Sequence, residues 1–236
     1  MENIKTKIYS DGAVLADMIE SLNSGKVTGF TTNPSLMKKA GITDYVEFAK
    51  EVLQEITEYP VSFEVFSDDL ETMEKEADKI AALGQNVYVK IPVTTSNGTS
   101  TAPLLKKLSS KGVKLNVTAI FTVEQVQEVV DHLTDGVASI VSVFAGRIAD
   151  TGVDPMPIMK EALAICQTKE GCELLWASPR EVLNIYQANA LGVDIITCTP
   201  AIIKKLSLSG KDLNEYSLET VKTFCKDSQE LGFSIL

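Results

Sequence analysis

The sequence contains a single histidine, His132, among 236 residues. A Ser-His-Asp triad or a histidine-ligated metal would depend on this side chain, which lies in a helical pattern without neighbouring ligands. The four cysteines show neither CxxC nor Cys/His metal spacing, and we expect them to be free thiols of a reducing compartment: Cys166, Cys172, Cys198 and Cys225. The sequence therefore predicts no metal and no histidine-based nucleophile.

Basic residues are also in the minority, with 22 Lys and Arg against 32 Asp and Glu and a net charge of −10. This balance argues against a nucleic-acid partner, whereas a small phosphate needs only a local cluster of donors. No apolar run has the length of a membrane span, and the N-terminus lacks the hydrophobic segment of a signal peptide. We therefore expect a cytoplasmic protein that does not bind membranes.

Extended and helical patterns alternate from residue 7 onward with short connections. The predicted strands are Lys7–Asp11, Val27–Thr32, Val61–Phe66, Val87–Val93, Lys114–Ile120, Ala138–Phe144, Glu173–Ala177 and Asp194–Cys198. Each is followed by a helical pattern, and a further helix is predicted over Leu218–Leu231. Eight such units predict an α/β fold of the (β/α)8 barrel type. We expect one domain, 1–236, with 217–236 as an additional C-terminal helix and tail. A doubly wound open sheet is the alternative, but no GxGxxG follows the first strand.

Lys90 is the most informative residue of these strands. Side chains alternate along a strand, so Val89 and Ile91 share one face while Tyr88 and Lys90 share the other. The simpler interpretation is an edge-strand lysine whose ammonium reaches water. The alternative is a desolvated lysine whose amine is neutral often enough to act as a nucleophile, as Schiff-base catalysis requires.

Other polar residues occur at the ends of the remaining strands, where a barrel of this type carries its chemistry. They are Asp11, Thr31, Asn33, Glu64, Asn116, Thr118, Ser142, Arg147, Ser178 and Arg180. Each has an ordinary structural explanation, such as a helix cap, a turn or an ion pair. Together with Lys90 as the nucleophile, this set supplies carboxylates that can move protons and arginines that can hold a phosphate. This combination predicts class I aldol chemistry on a sugar phosphate, without metal or cofactor.

Five stretches resemble the transaldolase family. They are Thr31-Thr32-Asn33-Pro34-Ser35, Val89-Lys90-Ile91-Pro92-Val93-Thr94, Asn116-Val117-Thr118, Ser142-Val143-Phe144-Ala145-Gly146-Arg147-Ile148 and Ala177-Ser178-Pro179-Arg180. The resemblance covers nearly the whole chain. The length of the chain is similar to that of the compact branch of this family, which includes fructose-phosphate aldolases.

The resemblance implies a role for each matching residue. Lys90 would form the Schiff base, Asp11 would be the acid–base group for carbon–carbon cleavage, and Glu64 and Thr118 would hold the water of iminium chemistry. The substrate-binding residues would be Thr31, Asn33, Asn116, Ser142, Phe144, Arg147, Ser178 and Arg180. The last two and Arg147 would contact the phosphate.

Two positions favour a transferase over a lyase within this family. The aldolases have glutamine at the position of Glu64 and tyrosine at the position of Phe144, so both residues here resemble the transferase. We therefore expect transfer of a dihydroxyacetone unit from a ketose phosphate, such as fructose 6-phosphate or sedoheptulose 7-phosphate, to an aldose phosphate, as in the pentose phosphate pathway. A fructose-6-phosphate aldolase-like lyase, an enzyme that makes an unusual sugar, and a catalytically silent barrel remain alternatives.

The last helix has no obvious place in an eight-unit barrel. Its apolar residues recur with helical spacing, as at Leu218, Val221 and Leu231. It could pack across its own barrel. By resemblance to the compact branch it would reach a neighbouring subunit, which predicts a homo-oligomer, a pentamer or a decamer.

Overall fold

The computed structural model describes residues 4–233 and 235. Within them, eight parallel strands form a closed barrel in sequence order, β1 to β8, with β8 paired to β1. The strands are β1 (Lys7–Asp11), β2 (Phe30–Thr31), β3 (Val61–Glu64), β4 (Val87–Pro92), β5 (Leu115–Ile120), β6 (Ser139–Val143), β7 (Cys172–Trp176) and β8 (Ile195–Cys198). The predicted (β/α)8 barrel is confirmed, and the open sheet is excluded.

Helices surround this barrel and connect its strands. They are α1 (Leu15–Asn23), α2 (Pro34–Ala40), α3 (Tyr45–Glu55), α4 (Leu70–Ala81), α5 (Ala102–Ser110), α6 (Val123–His132), α7 (Ala145–Asp150), α8 (Met156–Cys166), α9 (Leu183–Leu191), α10 (Pro200–Lys205) and α11 (Leu213–Leu231). A short 3₁₀ turn, Leu206–Leu208, follows α10. Asp44 caps the N-terminus of α3, since its carboxylate accepts the backbone N–H of Glu47 at 2.9 Å.

The hydrophobic residues divide into two cores, as alternation along each strand requires. Most of the buried residues fill the outer layer between the strands and the helices, including Val89, Val117 and Val141. A second cluster fills the barrel interior and is built from Tyr9, Ile140, Leu175, Ala177 and Ile195, with Tyr88 and Phe144 against it. Lys90 therefore shares the inner face with Tyr88, as predicted.

Gly29 makes room for the largest of these inner side chains. A Cβ at this position would lie 2.4 Å from the ring carbon Cε1 of Tyr9. The backbone of residues 28–30 nevertheless pairs with its neighbours, since Ser10 donates to Gly29 O at 2.9 Å and Phe30 donates to Pro60 O at 2.8 Å. The regular part of β2 is shorter than the predicted Val27–Thr32.

The sequence prediction was wrong at two short helices and at one helix start. It placed no element over 34–40, where α2 begins at Pro34 after the cap Asn33 and ends before Gly41, whose φ is +74°. It placed a loop after Phe144, where α7 follows β6 directly. The C-terminal helix begins at Leu213, five residues before the predicted Leu218, with Asp212 as its cap. No helix of the described residues combines the length and the apolar character that crossing a membrane requires.

Candidate active site

A cavity of about 520 Å³ opens at the C-terminal ends of the strands. Its lining includes eleven of the predicted site residues: Asp11, Thr31, Asn33, Glu64, Lys90, Thr118, Ser142, Phe144, Arg147, Ser178 and Arg180. The polar residues lie above the apolar cluster of the barrel interior, because each strand places its last inward side chain at this end. With Thr197 of β8, which also lines the cavity, the structure brings residues from all eight strands or the loops after them into one space.

Lys90 and Glu64 form an ion pair in this cavity. The Lys90 Nζ lies 3.1 Å from Glu64 Oε2, and the two side chains are only 8% and 16% exposed. Glu64 and Lys90 are paired positions of β3 and β4, which places both side chains on the inner face. The same Nζ donates to the backbone carbonyl of Thr32 at 3.0 Å. The interpretation of Lys90 as an edge-strand lysine was wrong, since β4 is internal to a closed barrel.

Thr118 reaches the cavity beside a β-bulge of β5. The pairing of β5 with β6 shifts between Val117 and Ile120, and Ala119 within this segment has a φ of +60°, which is uncommon for alanine. The Thr118 hydroxyl is buried, and it makes no hydrogen bond to any residue the structure describes. It can therefore bind a group within the cavity.

Asp11 is held by two threonine hydroxyls on neighbouring strands. Thr31 Oγ1 lies 2.7 Å from Asp11 Oδ1, and the Thr31 and Thr197 hydroxyl oxygens are 2.6 Å apart. Burial raises the pKa of the Asp11 carboxyl above its ordinary value, while the charge of Lys90 and the Thr31 hydrogen bond oppose this rise. The carboxyl is thus a better proton acceptor than an exposed aspartate.

Asn116 takes a place behind the cavity wall. It is fully buried, and it is not among the described residues that line the space. Ser142 Oγ donates to Asn116 Oδ1 at 2.6 Å, and Asn116 Nδ2 donates to Ser62 Oγ at 2.9 Å. This chain of bonds fixes the Ser142 hydroxyl. Asn33 lines the cavity while its Oδ1 accepts the N–H of Leu36 at 2.9 Å as the cap of α2.

Two arginines line another part of the cavity: Arg147 in α7 and Arg180 in the loop after β7. Arg147 lies over the Phe144 ring, with its Cζ 5.0 Å from the ring centroid. Arg180 forms a two-point ion pair with Asp150, in which Nε lies 2.9 Å from Oδ1 and Nη2 contacts Oδ2. This contact lowers the pKa of Asp150 and leaves the other edge of the guanidinium available.

The loop that carries Ser178 lies directly against the start of α7. Ser178 has a φ of +58°, and a Cβ at position 146 would lie 1.5 Å from the Ser178 carbonyl oxygen. Only glycine fits at Gly146 with this backbone. The close approach brings Ser178 to the same wall as Arg147.

The sequence interpretation missed three residues that support the predicted ones. Thr197 contacts Thr31, Asp150 pairs with Arg180, and Ser62 bonds Asn116. Thr197 carried a usable signal, since inward alternation along β8 places it at the same end as the other polar residues. Asp150 carried none, because its segment was predicted to be a loop.

The barrel and a polar cavity at the C-terminal ends of its strands are the features of a (β/α)8-barrel enzyme. A family profile described as transaldolase/fructose-6-phosphate aldolase matches residues 8–235, and the chain belongs to this family.

Curated relatives are similar in sequence to this chain over most of its length. A probable transaldolase of Erythrobacter litoralis is 35% identical over 231 residues, covering 98% of this chain and 100% of the relative. One of Brucella anthropi is 35% identical, covering 92% and 97%. One of Thermoanaerobacter sp. is 34% identical, covering 85% and 88%. These names support a transaldolase-like enzyme.

Among solved structures, the chain is similar to a 3-keto-L-gulonate-6-phosphate decarboxylase from Vibrio cholerae. The TM-score is 0.56 at 14% sequence identity, and the match covers 84% of this chain and 88% of the other. This likeness concerns the barrel fold alone.

Proposed function

We propose that this protein is a transaldolase that moves a dihydroxyacetone unit between sugar phosphates through a Schiff base on Lys90. The observation that carries the proposal is the buried Lys90–Glu64 pair at 3.1 Å in the cavity. A lysine enclosed by a closed barrel, with a carboxylate that can accept its proton, suits attack on a ketone.

Schiff-base formation begins when the Lys90 amine attacks C2 of the ketose phosphate. The resulting carbinolamine loses its hydroxyl as water, and this departure needs a proton donor. Glu64, 3.1 Å from the lysine nitrogen, can deliver that proton directly or through a water. The Thr118 hydroxyl, which has no partner among the residues the structure describes, supports a second contact to the same water.

Asp11 is the base in the carbon–carbon cleavage that follows. The proton of the C4 hydroxyl passes to the Asp11 carboxylate as the C3–C4 bond breaks, and the bond electrons move into the iminium to give an enamine. The aldose leaves, and the enamine carbon attacks the aldehyde of the acceptor. Asp11 returns its proton to the new hydroxyl, and water then hydrolyses the iminium to release the ketose product and restore the Lys90 amine. The raised pKa of Asp11 suits a group that must take up and return a proton.

Polar side chains around this reaction centre would bind the rest of the substrate. Ser142, oriented by Asn116, and the amide of Asn33 can bind the dihydroxyacetone hydroxyls. Arg147, Ser178 and the free edge of Arg180 can hold the phosphate, because guanidinium groups match its oxygens. All these groups belong to this chain, and the proposed steps use no cofactor.

Phe144 supports transfer of the dihydroxyacetone unit to an acceptor rather than its release as free dihydroxyacetone. Its ring lines the cavity and packs 5.7 Å from the ring of Phe121, and it has no hydroxyl with which to protonate the enamine. The enamine would then persist until an acceptor aldehyde arrives. A lyase that releases dihydroxyacetone is the second candidate.

Acceptor dependence of ketose cleavage tests the proposal. Without an acceptor, we expect purified protein to release at most one equivalent of aldose phosphate per active site from fructose 6-phosphate. With an acceptor such as erythrose 4-phosphate, we expect repeated turnover, with aldose phosphate and sedoheptulose 7-phosphate formed in equal amount. We expect Phe144→Tyr to raise acceptor-free release, whereas Phe121→Tyr, a matched change outside the cavity, does not. Rapid and complete cleavage by the wild type without acceptor would instead establish the lyase.

We also propose a homo-oligomer in which α11 contributes to a subunit contact. None of the described residues of α11 is buried, and Leu218, Val221, Phe224 and Leu231 are between 54% and 66% exposed. Such an apolar surface is unusual for a helix of a monomer. Sedimentation of the full chain tests this, and a monomer at micromolar concentration would contradict it.

A further inference from the structure

We infer that Thr197 is a positioning residue which, through Thr31, holds the Asp11 carboxyl in the orientation that carbon–carbon cleavage needs. The kinetic part of this inference rests on the function proposed above. The geometric part rests on the two hydroxyl contacts from β8 to β2 and from β2 to β1.

The chemistry of the three groups fixes the direction of these hydrogen bonds. A hydroxyl has one proton, and an ionised carboxylate can only accept. Thr31 therefore donates its proton to Asp11 Oδ1 at 2.7 Å. Its oxygen must then accept in the 2.6 Å contact with Thr197, so Thr197 is the donor. When Asp11 takes up a proton, Oδ2 receives it, because Oδ1 is already engaged.

We call the chain of hydrogen bonds from Thr197 through Thr31 to Asp11 the relay. Both of its threonines are shielded from solvent. Thr31 and Thr197 are 2% and 6% exposed, so water competes little for either hydroxyl. Hydrogen bonds in such surroundings polarise one another, and the Thr197 donor strengthens the bond from Thr31 to the carboxylate. The arrangement reserves Oδ2 for the substrate hydroxyl.

Among the described residues, Lys90 and Cys198 interact electrostatically with Asp11. Lys90 on β4 attracts its charge, and Glu64 on β3 pairs with Lys90. The Cys198 thiol, next to Thr197, has its pKa raised to about 12 by burial and by the Asp11 charge, so it stays neutral at working pH. Removing the Thr197 hydroxyl leaves these groups in place but weakens the hydrogen bond from Thr31 to the carboxylate, which moves the pKa of Asp11 upward.

Thr197→Val is the test, because it removes the donor while keeping the shape of the side chain. Thr197→Ser keeps the hydroxyl and should restore function. Thr28→Val is the matched control, since the buried Thr28 hydroxyl has no partner among the described residues. For each variant, the pH dependence of kcat/KM for transfer is measured beside borohydride trapping with free dihydroxyacetone, which needs Lys90 but no cleavage step.

We expect kcat/KM of Thr197→Val to fall about 3- to 30-fold, and the limb of the pH profile assigned to Asp11 to move to higher pH. The trapping rate should stay within about twofold of wild type. Thr197→Ser and Thr28→Val should retain the wild-type profile. An unchanged profile in Thr197→Val would overturn the inference. Equal losses of transfer and trapping would also overturn it, because they would indicate general damage to the site.

Titration of the Asp11 carboxyl by ¹³C NMR separates this inference from the proposed function. The signal is assigned by its absence in Asp11→Asn, and the measurement needs no turnover. A higher pKa in Thr197→Val than in wild type supports the relay even for a protein without transaldolase activity. An identical pKa in both proteins contradicts the relay even if the wild type is an active transaldolase.

Discussion

The Lys90 ammonium lies 3.1 Å from Glu64 Oε2, at paired positions of adjacent strands inside a closed barrel. A buried ammonium without a partner is costly, and Glu64 is the carboxylate that compensates for it. The same carboxylate is in place to exchange protons with the lysine and with water. One contact thus compensates the buried charge and, in the proposed mechanism, also moves protons.

Glu64→Gln should separate these two effects. The glutamine keeps the size of the side chain but leaves the buried Lys90 without a charged partner. We expect the free energy of unfolding to fall by about 3 kcal/mol and the rate of Schiff-base formation to fall about 100-fold. Denaturant unfolding and timed borohydride trapping measure the two quantities.

Glu74→Gln is the control for this change, because Glu74 pairs with Lys107 and Lys111 on the outer surface. It should leave trapping unaltered. A wild-type trapping rate in Glu64→Gln would remove Glu64 from the proposed mechanism.

Asp11→Asn should make the protein more stable and less active. The pKa of Asp11 is raised in the folded state, so the folded protein holds this proton more tightly than the unfolded chain does. Its contribution to stability is fully present below the ordinary aspartate pKa and is lost as pH rises through the folded pKa. Asparagine cannot ionise, so the variant keeps this contribution to the free energy of unfolding as the pH rises.

The Tm of Asp11→Asn should therefore exceed that of wild type at neutral pH, and the difference should vanish in acid. Each 1 kcal/mol would appear as roughly 2–4 °C for a chain of this size. We expect kcat to fall about 100- to 10,000-fold. Asp131→Asn on α6, an exposed carboxylate that bonds Gln127, should alter neither quantity. A Tm below wild type at neutral pH would contradict the account of Asp11.

Asp150→Asn tests whether Arg180 needs its ion pair to hold a phosphate. The pair is about half exposed and contributes little to stability, so its effect should lie in the orientation of the guanidinium. We expect KM for fructose 6-phosphate to rise about 3- to 10-fold with kcat within about twofold. Trapping with unphosphorylated dihydroxyacetone should not change. Asp154→Asn, in the following loop, is the matched control, and equal KM values in all three proteins would exclude the positioning role of Asp150.

The alternation of eight strands with helices predicted a parallel α/β fold, with buried strands such as Ile140–Phe144. The count of eight units and the absence of GxGxxG after the first strand favoured the closed barrel over an open sheet. Helices α2 and α7 were missed because each has seven residues or fewer and so shows at most two turns of an apolar repeat. The Asn33-Pro34 start and the Gly41 end were usable signals for α2.

The candidate site was predictable only in part. Residues at strand ends, such as Asp11 and Lys90, follow from alternation and fold class. The supporting contacts of Thr197 and Asp150 depend on register between strands and on loop conformation, which a single sequence does not encode in a local pattern. The resemblance implies that Asn116 binds substrate; the structure shows it buried, with its Oδ1 bonded to Ser142, and its contact with substrate stays a prediction.

Borohydride trapping with intact-mass detection tests the central claim most directly. Wild type, Lys90→Met and the control Lys114→Met, from the neighbouring strand region, are incubated with fructose 6-phosphate or sedoheptulose 7-phosphate and reduced. The account predicts one reduced, dihydroxyacetone-sized adduct on wild type and on Lys114→Met, and none on Lys90→Met. An adduct on Lys90→Met, or none on wild type with either sugar, would contradict it.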